Sequence, residues 1–264
     1  MDFGMPFLLE NNSLEECAAL CQRLRLSFVE LNANFPACQN LRADMLRKLA
    51  GQYGLYFTLH LEEECDPFAF NGRVRDAWLR TVHDAIVLAK DAGIPLINMH
   101  LPKGVYITLP DRRVFLYNSY AGEYQRALLE FRRMIESEIG DSVLRLCVEN
   151  TNGFAPHEQD ALELLLESPV FGLTLDIGHS HGAGNVDIPF YEKHMDRLMH
   201  MHGHDALGKK NHLALGDGEI DLPGRFAWAA KSGARVVLET KTIAALETSV
   251  SRLPEILARM GEKV

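Results

Sequence analysis

The chain has 264 residues, of which 47% are hydrophobic, and a formal net charge of -9. This length suits one large domain, since α/β barrels typically contain about 250 residues. The acidic balance disfavours nucleic acid as a partner, because a nucleic-acid binder needs a basic face to neutralise phosphates. No apolar run is long enough to span a bilayer, so we expect no membrane partner.

The start of the chain and the cysteines indicate a cytoplasmic protein. Residues 1–6 lack the basic region of a secretory signal peptide. An odd number of cysteines without a CxxC pair is typical of reduced thiols in a cytosol. These cysteines are Cys17, Cys21, Cys38, Cys65 and Cys147.

Short apolar runs alternate with amphipathic stretches along the whole chain. The runs predict eight strands, at residues 3–9, 26–31, 55–60, 96–100, 143–149, 171–176, 198–202 and 235–239. Helical spacing predicts helices at residues 14–24, 41–50, 74–92, 119–139, 158–167, 190–194, 225–231 and 244–260. We expect Ser13 to cap the first helix, and the last helix to bend or start again at Pro254.

This alternation predicts a single-domain (β/α)8 TIM barrel, of class α/β, over residues 1–264. A doubly wound open sheet is the alternative fold, but no GxGxxG motif follows an early strand. The loop at residues 102–117 reads as a hairpin and is the candidate lid or wall of a site at the barrel mouth. The segments 178–184 and 208–212 are predicted as loops.

Six successive strands end on a histidine or a carboxylate. In a parallel barrel these ends open on the same face, where active sites of this fold lie. Each residue alone could be a hydrogen-bonded core residue or a helix cap, but buried carboxylates placed together repel one another. A divalent cation removes that repulsion, so the pattern predicts a metal site. The six residues are His60, His100, Glu149, Asp176, His202 and Glu239.

The segment HMHGHD carries three histidines at alternate positions, which are His200, His202 and His204. On a strand end such side chains point to one side, because strand side chains alternate with period two. Clustered imidazoles suggest a bound metal, whereas a solvated, histidine-rich loop is the alternative interpretation. The oxygen and nitrogen ligands without thiolate suit zinc, manganese or cobalt, with one ion or two.

Five motifs together resemble one family across nearly the whole chain. They are ENTNG at 149–153, DIGHSHGAG at 176–184, HMHGHD at 200–205, NHLALGDGEID at 211–221 and LETK at 238–241. The family is the xylose isomerase-like TIM barrels, which include sugar-phosphate isomerases and epimerases together with the apurinic (AP) endonucleases. The combination is specific for the superfamily and does not specify one reaction.

The resemblance implies a ligand set and further site residues. It implies four shared metal ligands, which are Glu149, Asp176, His202 and Glu239. His202 is chosen because the family ligand lies three residues before the aspartate of its motif, here Asp205. It also implies that His179 contacts substrate, and that further zinc ligands of the nucleases match His60, His100 and His212. The nuclease pattern has an aspartate where this chain has Lys210, which disfavours a third cation.

By this resemblance we expect a metal-dependent isomerase or epimerase of a sugar, sugar phosphate or polyol-derived ketone, acting through an enediolate. Glu149 and Glu239 would exchange the proton as catalytic residues, and His179 would steady an oxygen. A zinc phosphoesterase of a small phosphodiester and a dehydratase or lyase are the alternatives, and a binding protein without turnover is the non-enzymatic one. Substrate contacts are expected from His60, His100, Lys103, His179 and Lys241. Members of the superfamily are often dimers or tetramers, so a homo-oligomer fits the resemblance.

Overall fold

Eight parallel strands close into a barrel, as the alternating pattern predicts. The computed structural model describes residues 1–260. The strands follow one another around the barrel in chain order, and β8 pairs with β1. They are β1 (Phe3–Pro6), β2 (Phe28–Asn32), β3 (Tyr56–His60), β4 (Leu96–His100), β5 (Arg145–Glu149), β6 (Phe171–Asp176), β7 (Leu198–Gly203) and β8 (Arg235–Leu238).

Helices connect the strands and cover the outside of the barrel. They are α1 (Leu14–Arg23), α2 (Ala43–Tyr53), α3 (Gly72–Ala92), α4 (Leu116–Ser119), α5 (Ala121–Ile139), α6 (Pro156–Leu166), α7 (Ile177–Gly182), α8 (Ile188–Lys193), α9 (Leu222–Ser232) and α10 (Ile243–Ala258). The predicted cap on α1 is confirmed, because the Ser13 hydroxyl accepts from the Glu16 amide at 3.1 Å. Among residues 1–260, no helix is both long and apolar enough to cross a membrane.

Two segments differ from the prediction. Residues 177–182 form the short helix α7 where a loop was predicted over 178–184, and Asp176 caps this helix by accepting from the His179 amide at 2.6 Å. Residues 205–213 form an antiparallel hairpin of Asp205–Leu207 and Lys210–Leu213, not an open loop. Of the two outcomes predicted at Pro254, the helix does not start again there, and α10 is one helix that contains this proline.

Side chains alternate between two environments along the barrel strands. One set faces the helices and forms the apolar core, for example Val29, Leu31, Leu59, Ile97, Val148, Leu173 and Leu175. The other set faces the barrel interior and is largely polar, including Glu30, Thr58, Asn98, Thr174 and His200, each at most 3% exposed. The barrel interior therefore offers polar side chains next to the carboxyl ends of its strands.

The remaining predictions concern a hairpin and the cysteines. The hairpin expected in residues 102–117 is confirmed, with Tyr106–Thr108 paired to Arg113–Phe115. In this hairpin, the ring centroid of Phe115 lies 6.0 Å from that of His157, at the start of α6. All five cysteines are buried free thiols, as expected for reduced cysteines.

Replacing Pro254 tests the continuous α10. Proline has no N–H for the carbonyl of Val250 and its ring crowds that carbonyl, whereas alanine restores a regular helix. Pro254 is exposed, so we expect Pro254→Ala to raise the free energy of unfolding by about 1–3 kcal/mol in urea titrations. The exposed neighbour Glu255 provides the control, since Glu255→Ala should change it by less than about 0.5 kcal/mol. Equal effects of both variants would contradict the argument.

Candidate metal centre

Four strands bring three carboxylates around one imidazole. Glu149 ends β5, Asp176 ends β6, His202 lies in β7 and Glu239 directly follows β8. The Nδ1 atom of His202 is 3.3 Å from Glu149 Oε1, 3.3 Å from Glu239 Oε2 and 3.9 Å from Asp176 Oδ2. Glu149, Asp176 and His202 are at most 1% exposed. The four residues implied by the motifs therefore lie around Nδ1 of His202 inside the barrel mouth.

The charges of this cluster depend on one another. Burial by itself raises the pKa of the Glu149 and Glu239 carboxyls, but the His202 imidazole lowers the pKa of both well below the ordinary range. Burial lowers the pKa of His202, and the surrounding carboxylates outweigh it and raise that pKa well above its ordinary value. The carboxylates and the imidazole therefore favour each other's charged forms.

Three buried atoms of His202 and Glu239 have no hydrogen-bond partner among residues 1–260, which are Nδ1 and Nε2 of His202 and Oε2 of Glu239. Nδ1 of His202 and Oε2 of Glu239 lie 3.3 Å apart at the centre. Buried polar atoms are rarely left unpaired, because the loss of hydration costs about 1–3 kcal/mol. One ligand atom from each of Glu149, Asp176 and His202 lies within 4.8 Å of the others. These residues fit a divalent cation held by nitrogen and oxygen ligands.

His60 and His100 form a second group on the other side of Glu149. Their rings are 4.9 Å apart, with His60 Nε2 3.3 Å from Glu149 Oε2 and His100 Nε2 3.8 Å from Glu149 Oε1. Burial opposes protonation of both rings, yet Glu149 raises the pKa of His60 to about 8, whereas the pKa of His100 stays lowered. Glu149 is thus shared between two candidate ion positions.

His179 and His212 line the opening of the centre. His179 Nδ1 is 3.4 Å from Asp176 Oδ2 and 3.7 Å from Glu149 Oε1, and its side chain is 20% exposed. His212 Nδ1 contacts the backbone oxygen of Glu239 at 3.1 Å and lies 3.7 Å from the Oε2 atom of that residue. Both predicted site residues therefore reach the centre, on the side that faces solvent.

The two predicted lysines lie in different places. Lys241 Nζ forms an ion pair with Glu239 Oε1 at 2.7 Å, so it stands at the rim of the centre. A small cavity of about 70 Å³ there is lined by Glu30, Asn32, His60, Glu239 and Lys241 among others. Lys103 instead lines a cavity of about 280 Å³ with Phe115 and His157. The structure therefore does not bring Lys103 and Lys241 together.

The three histidines of HMHGHD point inward, as the alternation predicts, but have three different surroundings. His200 lies deepest, and its Nε2 contacts Glu30 Oε2 at 2.8 Å. His202 has its Nδ1 among the carboxylates and its Nε2 2.9 Å from Glu30 Oε1. His204 lies behind Asp176, with its Nε2 3.0 Å from Oδ1 of that residue. His202 is the one whose Nδ1 lies among Glu149, Asp176 and Glu239, and His204 Nε2 is in addition 3.9 Å from Glu239 Oε2.

Sequence reasoning missed the residues that support the cluster. Glu30, in β2, is a buried residue whose carboxylate lies 2.8 Å from His200 Nε2 and 2.9 Å from His202 Nε2. Asn98 donates its amide to Glu149 Oε2 and accepts from the Thr174 hydroxyl at 2.6 Å. The available signal was polar residues at inward positions of strands that otherwise read as apolar.

Comparisons with known proteins agree on one architecture. A family model described as a xylose isomerase-like TIM barrel matches residues 18–259. An uncharacterised protein of Methanocaldococcus jannaschii is 25% identical over 232 residues, which cover 83% of this chain and 76% of that protein. The crystal structure of a D-tagatose 3-epimerase-like protein matches with a TM-score of 0.79 and 23% identity over 99% of both chains. The IolI protein, solved with a zinc atom, matches with a TM-score of 0.74 and 12% identity over 100% of both chains.

Gly178 tests the packing behind Asp176. A methyl group at this position would lie 1.9 Å from Cε1 of His204, so alanine must displace that ring. We expect Gly178→Ala to lower the free energy of unfolding by about 1–3 kcal/mol in urea titrations. A methyl group at Gly182, in the same helix, would meet no other part of residues 1–260 within 4 Å. A Gly178→Ala variant as stable as Gly182→Ala would contradict the close packing.

Proposed function

Because the chain belongs to the xylose isomerase-like TIM barrel family, we propose that it is a divalent-metal-dependent isomerase or epimerase of a small sugar or sugar phosphate. The observation that carries the proposal is the convergence of three carboxylates on Nδ1 of His202 at the barrel mouth. The fold shared with a D-tagatose 3-epimerase-like protein supports a carbohydrate substrate, and the fold shared with a zinc-containing protein supports the metal.

The ligands Glu149, Asp176, His202 and Glu239 would hold the cation. When bound, the cation polarises the sugar carbonyl and acidifies the adjacent C–H group. Glu149 and Glu239 follow strands that are not neighbours and approach His202 from different directions at 3.3 Å each. One carboxylate can accept the substrate proton and the other can return a proton to the opposite face, as an epimerisation through an enediolate requires, and an isomerisation can use one of them for both steps.

Other residues at the mouth would hold the substrate. His179 lies within 3.7 Å of both Asp176 and Glu149, so a sugar oxygen bound beside them is within its reach. Lys241 neutralises Glu239 on the solvent side, where a phosphate or hydroxyl would enter. His60 and His100 form the wall behind Glu149. These groups orient the substrate so that its C–H faces a carboxylate.

Replacing Glu149 by glutamine removes a base and keeps its shape. We expect Glu149→Gln to abolish solvent deuterium exchange into a panel of ketoses and ketose phosphates, followed by mass spectrometry. Glu158 is a matched control, because it is 2% exposed and its carboxylate caps α6 by accepting from the Ala155 amide at 2.8 Å. Glu158→Gln should keep the exchange rate of the wild-type protein.

Two results would contradict this assignment. Exchange retained in Glu149→Gln would remove Glu149 from the proton transfer. Exchange absent from the wild-type protein with every sugar of the panel, in the presence of zinc, manganese or cobalt, would contradict the isomerase and epimerase proposal itself.

A phosphoesterase of a small phosphodiester is the second candidate function. The observation that favours it is the His60, His100 and Glu149 group, whose ligand atoms lie within 4.8 Å of one another. A second ion there would be bridged to the first by Glu149, as in two-metal phosphoryl transfer. The net charge of -9 disfavours a nucleic-acid substrate. A dehydratase or lyase would use the same proton transfer and needs a substrate with a leaving group.

Metal content separates these candidates. For an isomerase or epimerase, we expect elemental analysis to find about one divalent ion per chain, unchanged in a His60→Ala, His100→Ala variant. About two zinc ions that fall to about one in the variant would support the phosphoesterase instead. If the protein binds no metal even after soaking with zinc, manganese or cobalt, both the isomerase or epimerase proposal and the phosphoesterase candidate are contradicted.

A further inference from the structure

His204 has its two ring nitrogens assigned by their surroundings. The side chain is completely buried, one residue past β7. The backbone N–H of His212 donates a hydrogen bond to Nδ1 of His204 at 2.9 Å, and a backbone N–H can only donate. The carbonyl oxygen of Asp205 is farther from the same nitrogen, at 3.3 Å. The nearer contact puts the lone pair on Nδ1 and the proton on Nε2.

The protonated Nε2 of His204 faces the Asp176 carboxylate. It donates toward Oδ1 at 3.0 Å and Oδ2 at 3.1 Å, so it lies astride the two oxygens. Oδ1 also accepts from the His179 amide at 2.6 Å. The Asp176 carboxylate therefore accepts from two donors, the His204 ring and the His179 amide. Its Oδ2 atom is the one that lies 3.9 Å from His202 Nδ1.

The His212 amide, which donates to His204, lies in the 205–213 hairpin, and Asp205 of this hairpin holds the loop that follows it. The Asp205 carboxylate accepts from four backbone amides at 2.9–3.1 Å, which are those of Ala206, Gly216, Gly218 and Ile220. These bonds tie the loop after the 205–213 hairpin to the end of β7. The backbone of His212 is in the left-handed region, with φ of 55°, which sets its amide direction. Gly178 leaves the space that the His204 ring fills.

From this chain of contacts we infer that His204 is a positioning residue for the metal ligand Asp176, and not a ligand itself. The inference rests on the metal centre of the proposed function. His204 could also be grouped with His212 and Glu239 as three candidate ligands within 4.8 Å. However, the His212 amide occupies Nδ1, and the Nε2 proton is directed to Asp176, so no lone pair of His204 faces the centre.

Two substitutions at one position separate a positioning residue from a ligand. His204→Leu removes the donor to Asp176, and His204→Gln retains an N–H donor at about the place of Nε2. We expect the Co²⁺ affinity of the full chain, measured by calorimetry and by the visible Co²⁺ spectrum, to fall about 10–100-fold in His204→Leu. His204→Gln should stay within about fivefold of the wild-type protein and keep its Co²⁺ spectrum.

The other outcomes contradict the inference. An equal loss of affinity in both variants, with a changed Co²⁺ spectrum, would make His204 a ligand. No loss in either variant, with only lower stability, would make His204 a structural residue. If the wild-type protein binds no Co²⁺, Zn²⁺ or Mn²⁺, the proposed function fails as well, whereas the first two outcomes overturn only the role of His204.

A measurement on the wild-type protein covers the case in which the variants do not fold. Long-range ¹H–¹⁵N spectra of the histidine-labelled protein with Zn²⁺ report which ring nitrogen carries the proton. We expect His204 to carry it on Nε2, with an unprotonated and unmetallated Nδ1. A proton on Nδ1 of His204, or a metal on either of its ring nitrogens, would overturn the inference.

Discussion

Carboxylates gathered around one imidazole are the constraint on which this structure depends. Glu149 and Asp176 are at most 1% exposed, and the side chain of Glu239 is 15% exposed. Like charges at such distances in a protein interior repel strongly, and each buried charge costs several kcal/mol of hydration. The His202 imidazole offsets part of this repulsion, since it faces two of the carboxylates at 3.3 Å. A divalent cation would offset more of it and would give a partner to His202 Nδ1 and Glu239 Oε2, which make no hydrogen bond among residues 1–260.

Each of the four candidate ligands also has a polar neighbour. These neighbours come from inward positions of the barrel or from loops at its mouth. Hydrogen bonds join Asn98 with Glu149, His204 with Asp176 and Lys241 with Glu239, and Glu30 Oε1 lies 2.9 Å from His202 Nε2. Donors and acceptors that hold a ligand in place tune both the orientation and the basicity of metal ligands.

Period-two alternation reconciles this polar network with a stable fold. The strand residues between the inward polar ones, such as Val29, Leu59 and Val148, pack against the helices in a continuous apolar core. This core stabilises the barrel on its helix-facing side. The polar side chains in the barrel interior then need only form hydrogen bonds with one another. The short helix α7 and the 205–213 hairpin then lie over the centre and supply His179 and His212.

The sequence by itself determined the architecture and predicted a metal site at the barrel mouth. Eight alternating runs predicted the barrel, because strand and helix periods are local properties of the chain, and the family motifs implied Glu149, Asp176, His202 and Glu239 as ligands. Spacing also predicted that the HMHGHD histidines point to one side. Segment 178–184 was predicted as a loop because glycine and histidine are weak helix formers, and only the Asp176 cap and its packing make residues 177–182 helical.

Only the tertiary structure decided what each polar residue contacts. Glu30 and His200 are 170 positions apart, yet they share a hydrogen bond across the barrel. Asn98 donates a hydrogen bond to Glu149 from the neighbouring strand, 51 positions away in the chain. Likewise, the different surroundings of His202 and His204 follow from which nitrogen meets a carboxylate and which meets a backbone amide. Such assignments depend on the closure of the barrel and on loop packing, which bring distant residues within hydrogen-bond distance and leave no periodic signal in the sequence.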